Sequence, residues 1–168
     1  MHLNIEIKAI AHDPVKIREY LKKAEASFKG TDHQTDTYFN VHKGRLKLRQ
    51  GNIENNLIYY ERENIQGAKS SDFSLVKVAD GEALKATLTR ALGVMKVIEK
   101  NREIYYIDNV KFHIDQVEGL GSFVEIEAGN LLDPTKLRED LQQQCDFYIS
   151  ALEINADDML THSYSDML

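Results

Sequence analysis

Six residues near the start of the chain, NIEIKA at 4–9, alternate strictly between polar and apolar side chains. A period of two is typical of a β-strand, because successive side chains of a strand point to opposite faces. Ile5 and Ile7 therefore share one face of the predicted strand. Glu6 and Lys8 share the other face, which points either to water or to a ligand.

The same alternation returns in four further segments, at 44–50, 97–106, 109–117 and 122–129. In GRLKLRQ at 44–50, for example, Leu46 and Leu48 alternate with basic side chains. Segment after segment has one apolar face and one charged face, and the charged faces are rich in Arg and in carboxylates. The predicted strands are 36–41, 45–50, 56–64, 73–79, 96–107, 110–117 and 122–128.

Three segments have the apolar spacing of amphipathic helices and an Asp that can cap the first turn. They are 12–24, where Asp13 precedes Pro14; 132–152, where Asp133 precedes Pro134; and 80–93, between Asp80 and Gly93. Proline is favoured at the first helical position, and glycine is favoured just after the last. The polar stretch 64–72 between two predicted strands is expected to be a mobile loop.

The helices indicate which way the strands face. Amphipathic helices need an apolar surface to pack on, and the apolar strand faces provide it. If the helices cover the outside, the charged faces point inward, into a barrel wide enough to hold a ligand. The sequence therefore predicts one α+β domain over 1–168, a closed eight-stranded antiparallel β-barrel with helices packed outside.

Composition narrows the class of protein. The chain has 168 residues, 42% of them hydrophobic and 29% charged, which is typical of a globular protein. Its net charge of −6 argues against a nonspecific nucleic-acid binder, and we expect no nucleic-acid partner. No apolar run approaches the length of a membrane span, and no signal-peptide core is visible, so we expect no membrane association. The single cysteine, Cys145, cannot form an internal disulfide, which favours a cytoplasmic location.

The charged faces restrict the chemistry inside such a barrel. Buried charge is costly unless it is paired or bound to an ion. Arg and Lys match phosphate oxygens, and carboxylates beside phosphates are suited to Mg²⁺ or Mn²⁺. Glu125 and Glu127 share a strand face about 7 Å apart, given the rise of ~3.3 Å per residue, and could reach one or two ions. The interior thus favours a triphosphate held by cations, with divalent metal beside it.

Several motifs, taken in order, carry a resemblance to a known family. They are the first strand NIEIKA, QTDTYF at 34–39, LKLRQ at 46–50, VEGLGSFVEIE at 117–127 and SYSDML at 163–168. Together they resemble the CYTH superfamily, the triphosphate tunnel metalloenzymes, and are most similar to its class IV adenylyl cyclases. The resemblance implies an eight-stranded tunnel, often in a dimer, in which basic residues bind the triphosphate and acidic residues bind Mg²⁺ or Mn²⁺.

The resemblance also assigns roles to individual residues. It implies phosphate binding by Lys8, Lys47, Arg49, Arg62, Lys77, Lys100 and Arg102. It implies metal binding by Glu6, Asp115, Glu125 and Glu127, and catalytic roles for Glu6, Lys8 and Asp115. One departure is plain: Asn4 stands where the first-strand motif usually has its first Glu, so one negative charge is lost beside the metal.

Three functions are compatible with these residues. An adenylyl cyclase would convert ATP to cyclic AMP and pyrophosphate. A triphosphatase would direct water at the terminal phosphate of thiamine triphosphate, inorganic triphosphate or a nucleoside triphosphate. The loss of the Glu at position 4 could also leave a triphosphate-binding module with little turnover. The resemblance favours the cyclase.

Other residue types have plainer interpretations. The tyrosines and phenylalanines of the strands are expected to be core or strand-pairing residues. The six histidines show no spacing typical of a zinc site, so His113 is not expected to bind zinc. Cys145 is expected to pack in the last long helix.

Overall fold

The computed structural model describes residues 2–62 and 66–168. Strands and helices alternate along this part of the chain. The strands are β1 (His2–Ile10), β2 (Ser27–Phe39), β3 (Arg45–Gln50), β4 (Asn55–Arg62), β5 (Lys69–Lys77), β6 (Val94–Ile107), β7 (Val110–Val117) and β8 (Gly121–Gly129). The α-helices are α1 (Pro14–Lys23), α2 (Gly81–Leu92), α3 (Arg138–Ala151) and α4 (Tyr164–Met167). None of these helices is both long and apolar enough to span a membrane.

The strands form a closed antiparallel barrel in the order β1-β5-β4-β3-β2-β6-β7-β8. Closure depends on β1, which pairs with β5 on one side and with β8 on the other. The pairing of β1 with β8 joins the first strand of the chain to the last. It places Lys8 opposite Glu125. The predicted fold class is confirmed.

The main apolar core lies outside the barrel, between the strands β1, β7 and β8 and the helices α1 and α3. Burying each large side chain contributes about 1.5–3 kcal/mol, so this layer anchors the helices firmly. Its fully buried members include Ile5, Phe112, Ile126, Leu21 and Leu141. Because the apolar faces are used here, the charged faces of the same strands turn into the barrel.

Two of the three helix starts agree with the sequence prediction. The Asp13 side chain accepts the N–H of Lys16 at 3.2 Å, and the Asp80 side chain accepts the N–H of Ala83 at 3.0 Å. Gly93 ends α2 with a φ of 77°, a conformation that favours glycine.

The start predicted for the third helix is wrong. The helix was expected to begin at Pro134, but α3 begins at Arg138. The carboxylate of Asp133 accepts the N–H of Thr135 at 3.2 Å, which forms a local turn instead of a cap. The carboxylate of Asp140 accepts the N–H of Leu137 at 2.9 Å and marks the true start.

Two strand predictions also need correction. β2 begins at Ser27 rather than at 36, because a register shift beside Gly30 breaks the alternation while pairing with β6 continues to Tyr106. β5 begins at Lys69, so residues 69–72 of the expected mobile loop form a strand paired with β1 and β4. Residues 64 and 65 of that expected loop lie outside the described residues.

Candidate active site

The inward side chains of all eight strands line one cavity in the barrel. Most of the residues predicted for the site lie on its wall, which brings together positions that are far apart in sequence. They are Glu6, Lys8, Lys47, Arg49, Lys100, Arg102, Glu125 and Glu127.

Three other predicted site residues are placed differently. Lys77 is exposed at the end of β5 and does not line the cavity. Arg62 belongs to β4, but its side chain lies outside the part that the structure describes. Asp115 is buried in the wall, with 1% of its surface exposed. The phosphate-binding roles of Lys77 and Arg62 stay predictions.

Three of the predicted cations surround a single carboxylate, that of Asp36. Arg49 donates two hydrogen bonds to it, at 2.9 and 2.8 Å, and Lys100 donates one at 2.5 Å. The ammonium nitrogen of Lys47 lies 3.8 Å from the same carboxylate. We call these three basic residues with Asp36 the cation cluster. Within it, one negative charge faces three positive charges.

The electrostatics of the cation cluster follow from this imbalance. Burial alone would raise the pKa of Asp36, but Arg49, Lys100 and Lys47 hold it well below its ordinary value. Burial and the neighbouring Arg49 lower the pKa of Lys47. Burial, Arg49 and Arg102 also lower the pKa of Lys100, to about 8, although Asp36 opposes them. An additional anion in the cavity would relieve this repulsion.

Asp115 holds Arg102 in place. The guanidinium donates to both oxygens of Asp115, each at 2.7 Å, and the hydroxyl of Tyr164 donates to one of them at 2.8 Å. Burial would raise the pKa of Asp115, but Arg102 lowers it to about 2. Because both carboxylate oxygens are engaged, this geometry favours positioning of Arg102. The metal-binding and catalytic roles of Asp115 stay predictions.

The end of the chain packs against the barrel interior. The ammonium group of Lys8 lies 3.6 Å from the centre of the Tyr164 ring, and that ring packs 5.0 Å from the ring of Phe123. Tyr164 is 2% exposed. Ser163 and Tyr164 of the segment SYSDML are therefore part of the cavity wall, and Tyr164 contacts both Lys8 and Asp115.

A turn between β3 and β4 brings a further acid into the cavity, which the sequence analysis missed. Glu54 lies 2.6 Å from the ammonium group of Lys111 and 3.4 Å from the guanidinium of Arg49. The turn is fixed by the buried carboxylate of Asp32, which accepts the N–H groups of residues 52, 53 and 54 at 2.6, 2.9 and 2.9 Å. Neither Glu54 nor Asp32 belongs to an alternating segment that could have indicated its position.

Glu125 and Glu127 meet a residue that the sequence analysis set aside. One ligand atom from each of His113, Glu125 and Glu127 lies within 4.8 Å of the other two. We call this trio the His–Glu cluster. The amide of Asn4 donates to Glu127 at 2.7 Å, and Glu6 lies opposite Glu127 in the pairing of β1 with β8. Carboxylates and a neutral imidazole are donors that fit a divalent metal ion.

The two carboxylates of the His–Glu cluster differ in their surroundings. Burial would raise the pKa of Glu125, but Lys8, His113 and Arg102 hold it well below its ordinary value. Burial, together with the charges of Glu125 and Glu6, raises the pKa of Glu127 to about 7. Burial and the charge of Arg102 lower the pKa of His113 to about 4, so its ring is neutral at pH 7.

Comparison with known proteins identifies the family. The CYTH domain matches residues 2–160, nearly the whole chain. The chain belongs to the CYTH family. Enzymes of this family act on triphosphate substrates such as ATP and use divalent metal ions.

Individual proteins are similar to this chain over nearly its full length. A putative adenylate cyclase of Methanocaldococcus jannaschii is 29% identical, with 98% of each chain covered. The PH1012 protein of Pyrococcus horikoshii has the same fold, with a TM-score of 0.81, 23% identity, and 98% and 99% of the two chains covered. The putative adenylyl cyclase HpAC1 of Hippeastrum, whose structure is said to reveal a dominant triphosphatase activity, gives a TM-score of 0.64 at 13% identity, with 99% and 93% covered.

Proposed function

We propose that this chain is a metal-dependent adenylyl cyclase, which converts ATP to cyclic AMP and pyrophosphate inside the barrel. One observation carries the proposal: three kinds of surface adjoin in a single cavity. These are the cation cluster, the His–Glu cluster and an apolar stretch formed by Ile58, Phe73 and Leu75. Each suits a different part of a metal-bound nucleoside triphosphate.

The cation cluster suits the phosphates. Arg49 presents a planar guanidinium group and Lys100 presents a compact charge. Arg102, two residues after Lys100 on β6, adds a second guanidinium group beside the cluster. Arg49, Lys100 and Arg102 are all buried. A phosphate that reaches them loses its hydrogen bonds to water and gains hydrogen bonds to charged groups, which are stronger in a region of low dielectric constant. The positive excess around Asp36 supports a polyanion rather than a single carboxylate as the ligand.

The His–Glu cluster suits a divalent ion. Glu125 and Glu127 are the predicted ligands, with Glu6 on the neighbouring strand. When bound, such an ion supplies positive charge that lowers the pKa of a coordinated hydroxyl and screens the phosphates from one another. The donor atoms of Glu125, Glu127 and His113 lie within 4.8 Å of one another, so these side chains would hold the ion.

The apolar stretch favours a nucleotide over inorganic triphosphate. Ligand pockets for nucleosides combine apolar contacts with a few fixed polar groups. Tyr38 and Tyr60 also line this part of the cavity, and Leu75 is 38% exposed at its edge. Inorganic triphosphate has no group that would use these side chains, whereas an adenine base has two apolar faces.

The proposed cyclisation of ATP uses the positions of these groups in the cavity. The 3′-oxygen of the ribose forms a bond to the α-phosphorus, its proton leaves, and the bond from the α-phosphorus to the bridging oxygen breaks. Pyrophosphate departs with the electron pair. Arg49, Lys100 and Arg102 stabilise the charge that develops on the leaving group, and Lys8 stabilises charge near Glu125, from which it lies 3.6 Å.

Triphosphate hydrolysis is the second candidate. The Hippeastrum protein, which has this fold, is named a putative adenylyl cyclase that reveals a dominant triphosphatase activity, and this supports hydrolysis as an alternative. The same cavity would direct water at the terminal phosphate. A binding module with little turnover is a third candidate, since Asn4 donates to Glu127 where the family motif has a carboxylate.

Product analysis tests the proposal. We would incubate the chain with ATP and either MgCl₂ or MnCl₂, and identify the products by ³¹P nuclear magnetic resonance. Glu125→Gln should abolish metal-dependent turnover, and the matched control Glu118→Gln, in the exposed turn between β7 and β8, should retain it. Parallel reactions with inorganic triphosphate and thiamine triphosphate measure the hydrolase activity.

Each product pattern distinguishes the candidates. Cyclic AMP with pyrophosphate supports the cyclase. ADP with orthophosphate, and no cyclic AMP, refutes the cyclase and supports the triphosphatase. Tight binding of ATP without either set of products supports the binding module. A homodimer, the absence of a nucleic-acid partner and a cytoplasmic location stay predictions.

A further inference from the structure

His113 is a buried imidazole without a hydrogen bond. It is 2% exposed, and neither ring nitrogen has a hydrogen-bond partner among the residues that the structure describes. Buried polar groups are nearly always paired, because leaving one unpaired forfeits its hydration without compensation. A histidine that only packs in a core normally donates one ring N–H to an oxygen. His113 therefore needs another explanation.

The nearest acid does not provide that hydrogen bond. Nδ1 of His113 lies 3.8 Å from an oxygen of Glu125, beyond hydrogen-bond length. That oxygen is instead placed for ionic contacts with Lys8 at 3.6 Å and Arg102 at 3.5 Å. Ion pairing with Glu125 thus does not account for the position of His113.

A shared metal ion does account for it. Donor atoms that bind one ion at about 2.1 Å lie roughly 3–4 Å from each other, whether the ion is tetrahedral or octahedral. The donor atoms of His113, Glu125 and Glu127 lie within 4.8 Å of one another, so small side-chain rotations bring all three onto one ion. The ring faces two carboxylates, so the three side chains together offer the donor set of a mixed nitrogen–oxygen site.

We propose that His113 donates a ring nitrogen to a divalent ion that Glu125 and Glu127 also bind, and that this nitrogen makes the site select Mn²⁺ over Mg²⁺. Mg²⁺ prefers oxygen ligands in octahedral geometry and gives up its water reluctantly. Mn²⁺ has the same charge and also binds carboxylates, but as a transition-metal ion it gains more from a nitrogen ligand than Mg²⁺ does. The inference rests on the proposed function only in placing this ion beside a triphosphate. The site itself can be tested without any nucleotide.

The orientation of Asn4 supports the assignment. Its amide nitrogen donates to Glu127 at 2.7 Å, which fixes one carboxylate oxygen and leaves the amide oxygen directed elsewhere. The oxygen of Asn4 instead lies against Gly129, where an added Cβ would be only 2.4 Å away. Asn4 therefore orients a ligand rather than acting as one. His113 therefore adds a nitrogen donor to the carboxylates of Glu125 and Glu127.

The experiment uses MnCl₂ and MgCl₂ with the purified full chain and no nucleotide. Electron paramagnetic resonance measures the Kd for Mn²⁺, and competition measures the Kd for Mg²⁺. Pulsed electron paramagnetic resonance detects a directly bound nitrogen through its coupling to Mn²⁺. A sample with ¹⁵N-labelled histidine identifies that nitrogen as imidazole without any mutation. The variants are His113→Gln and, as a matched control, His42→Gln, whose side chain is exposed in the turn before β3.

We expect a ¹⁴N coupling that the ¹⁵N label replaces. His113→Gln should remove the coupling and weaken Mn²⁺ binding about tenfold or more, the range seen when a group that fixes a metal is removed. It should change Mg²⁺ binding about twofold or less, and His42→Gln should change nothing. Mn²⁺ bound without nitrogen coupling, or bound equally well by His113→Gln, would overturn the inference. So would the absence of Mn²⁺ binding.

Failure of this inference differs from failure of the proposed function. If the nitrogen coupling is present but ATP is not converted, the metal site stands and the cyclase assignment falls. If cyclic AMP forms while Mn²⁺ shows no nitrogen coupling, the cyclase stands and the role of His113 falls. Labelling of the unmodified chain keeps the test decisive even if His113→Gln does not fold.

Discussion

Replacing Asp36 with Asn should destabilise the protein without ligand and strengthen its binding of a triphosphate. The substitution keeps the size of the side chain and removes one buried negative charge. Arg49, Lys100 and Lys47 would then repel one another with no carboxylate between them. The two effects have the same origin, because a triphosphate supplies the negative charge that the variant lacks.

The geometry sets the size of the loss. Asp36 is fully buried and accepts three charged hydrogen bonds of 2.5–2.9 Å. Removing one partner of a buried ion pair costs about 3–5 kcal/mol, because the other partner stays buried and uncompensated. The depressed pKa of Asp36 means that its carboxylate stabilises the fold above the ordinary carboxyl pKa, and that this contribution is lost only in strong acid. The whole effect is therefore present at pH 7.

A triphosphate should recover most of this loss. A ligand that binds only the folded state at 100 times its Kd adds about 2.7 kcal/mol to stability. Lys47, Arg49 and Lys100 would also bind the phosphates without competition from Asp36. A gain of about 1.4 kcal/mol in binding corresponds to a tenfold lower Kd, and we expect at least that for inorganic triphosphate.

Two measurements check the prediction. Urea unfolding, followed by circular dichroism, gives the free energy of unfolding with and without inorganic triphosphate, and calorimetry gives its Kd. Asp157→Asn, on the exposed 3₁₀ turn Ala156–Asp158, is the matched control and should behave as the unmodified chain does. An unchanged free energy of unfolding would show that Asp36 does not hold the cations. Weaker triphosphate binding would show that Asp36 orients them instead of competing for them.

Three further changes test other parts of the cavity. Glu54→Gln frees Lys111 from a competing anion, so the Kd for inorganic triphosphate should fall about threefold to tenfold by calorimetry; a higher Kd would refute this. Asn4→Glu adds a carboxylate beside Glu127, so the affinity for Mg²⁺ and the turnover should rise. The Tm without metal should fall slightly, because the new buried charge lacks a counter-ion. If the Mg²⁺ affinity, the turnover and the Tm are all unchanged, this strand face does not contact metal. Lys100 is charged below its pKa of about 8 and neutral above it, so the affinity for triphosphate should decline as the pH rises through about 8. An affinity that does not change between pH 7 and 9 would refute the role of Lys100 in phosphate binding.

The strand pattern was predictable because it is local. Side chains in a strand alternate with a period of two, so NIEIKA and LKLRQ each reveal which residues share a face. The need to cover the apolar faces with helices then decides which face points inward. This reasoning correctly places Glu6, Lys47 and Arg102 in one cavity.

The partners of these residues could not be predicted in the same way. Asp36 meets Lys100 because β2 pairs with β6 in one particular register, and a local pattern does not contain that register. Glu54 reaches Lys111 only because the buried carboxylate of Asp32 fixes a turn from another strand. The spacing of histidines along the chain does not indicate a metal site at His113, because the acidic residues beside it come from β8. Alternation on β7 did place His113 on the inner face, which was the available signal.

The pKa values of Asp36 and Asp115 shift in the opposite direction from the pKa of Glu127. Asp36 and Asp115 have lowered pKa values because the protein itself supplies cations at hydrogen-bond distance. Glu127 has a raised pKa, about 7, because burial and neighbouring acids outweigh the nearby Lys111. A positive ion is therefore stabilised more beside Glu127 than beside Asp36, where cations are already in excess. By the same argument a polyanion is stabilised most beside the cation cluster, which supports the proposed division between a metal site at Glu127 and a phosphate site at Lys47, Arg49 and Lys100.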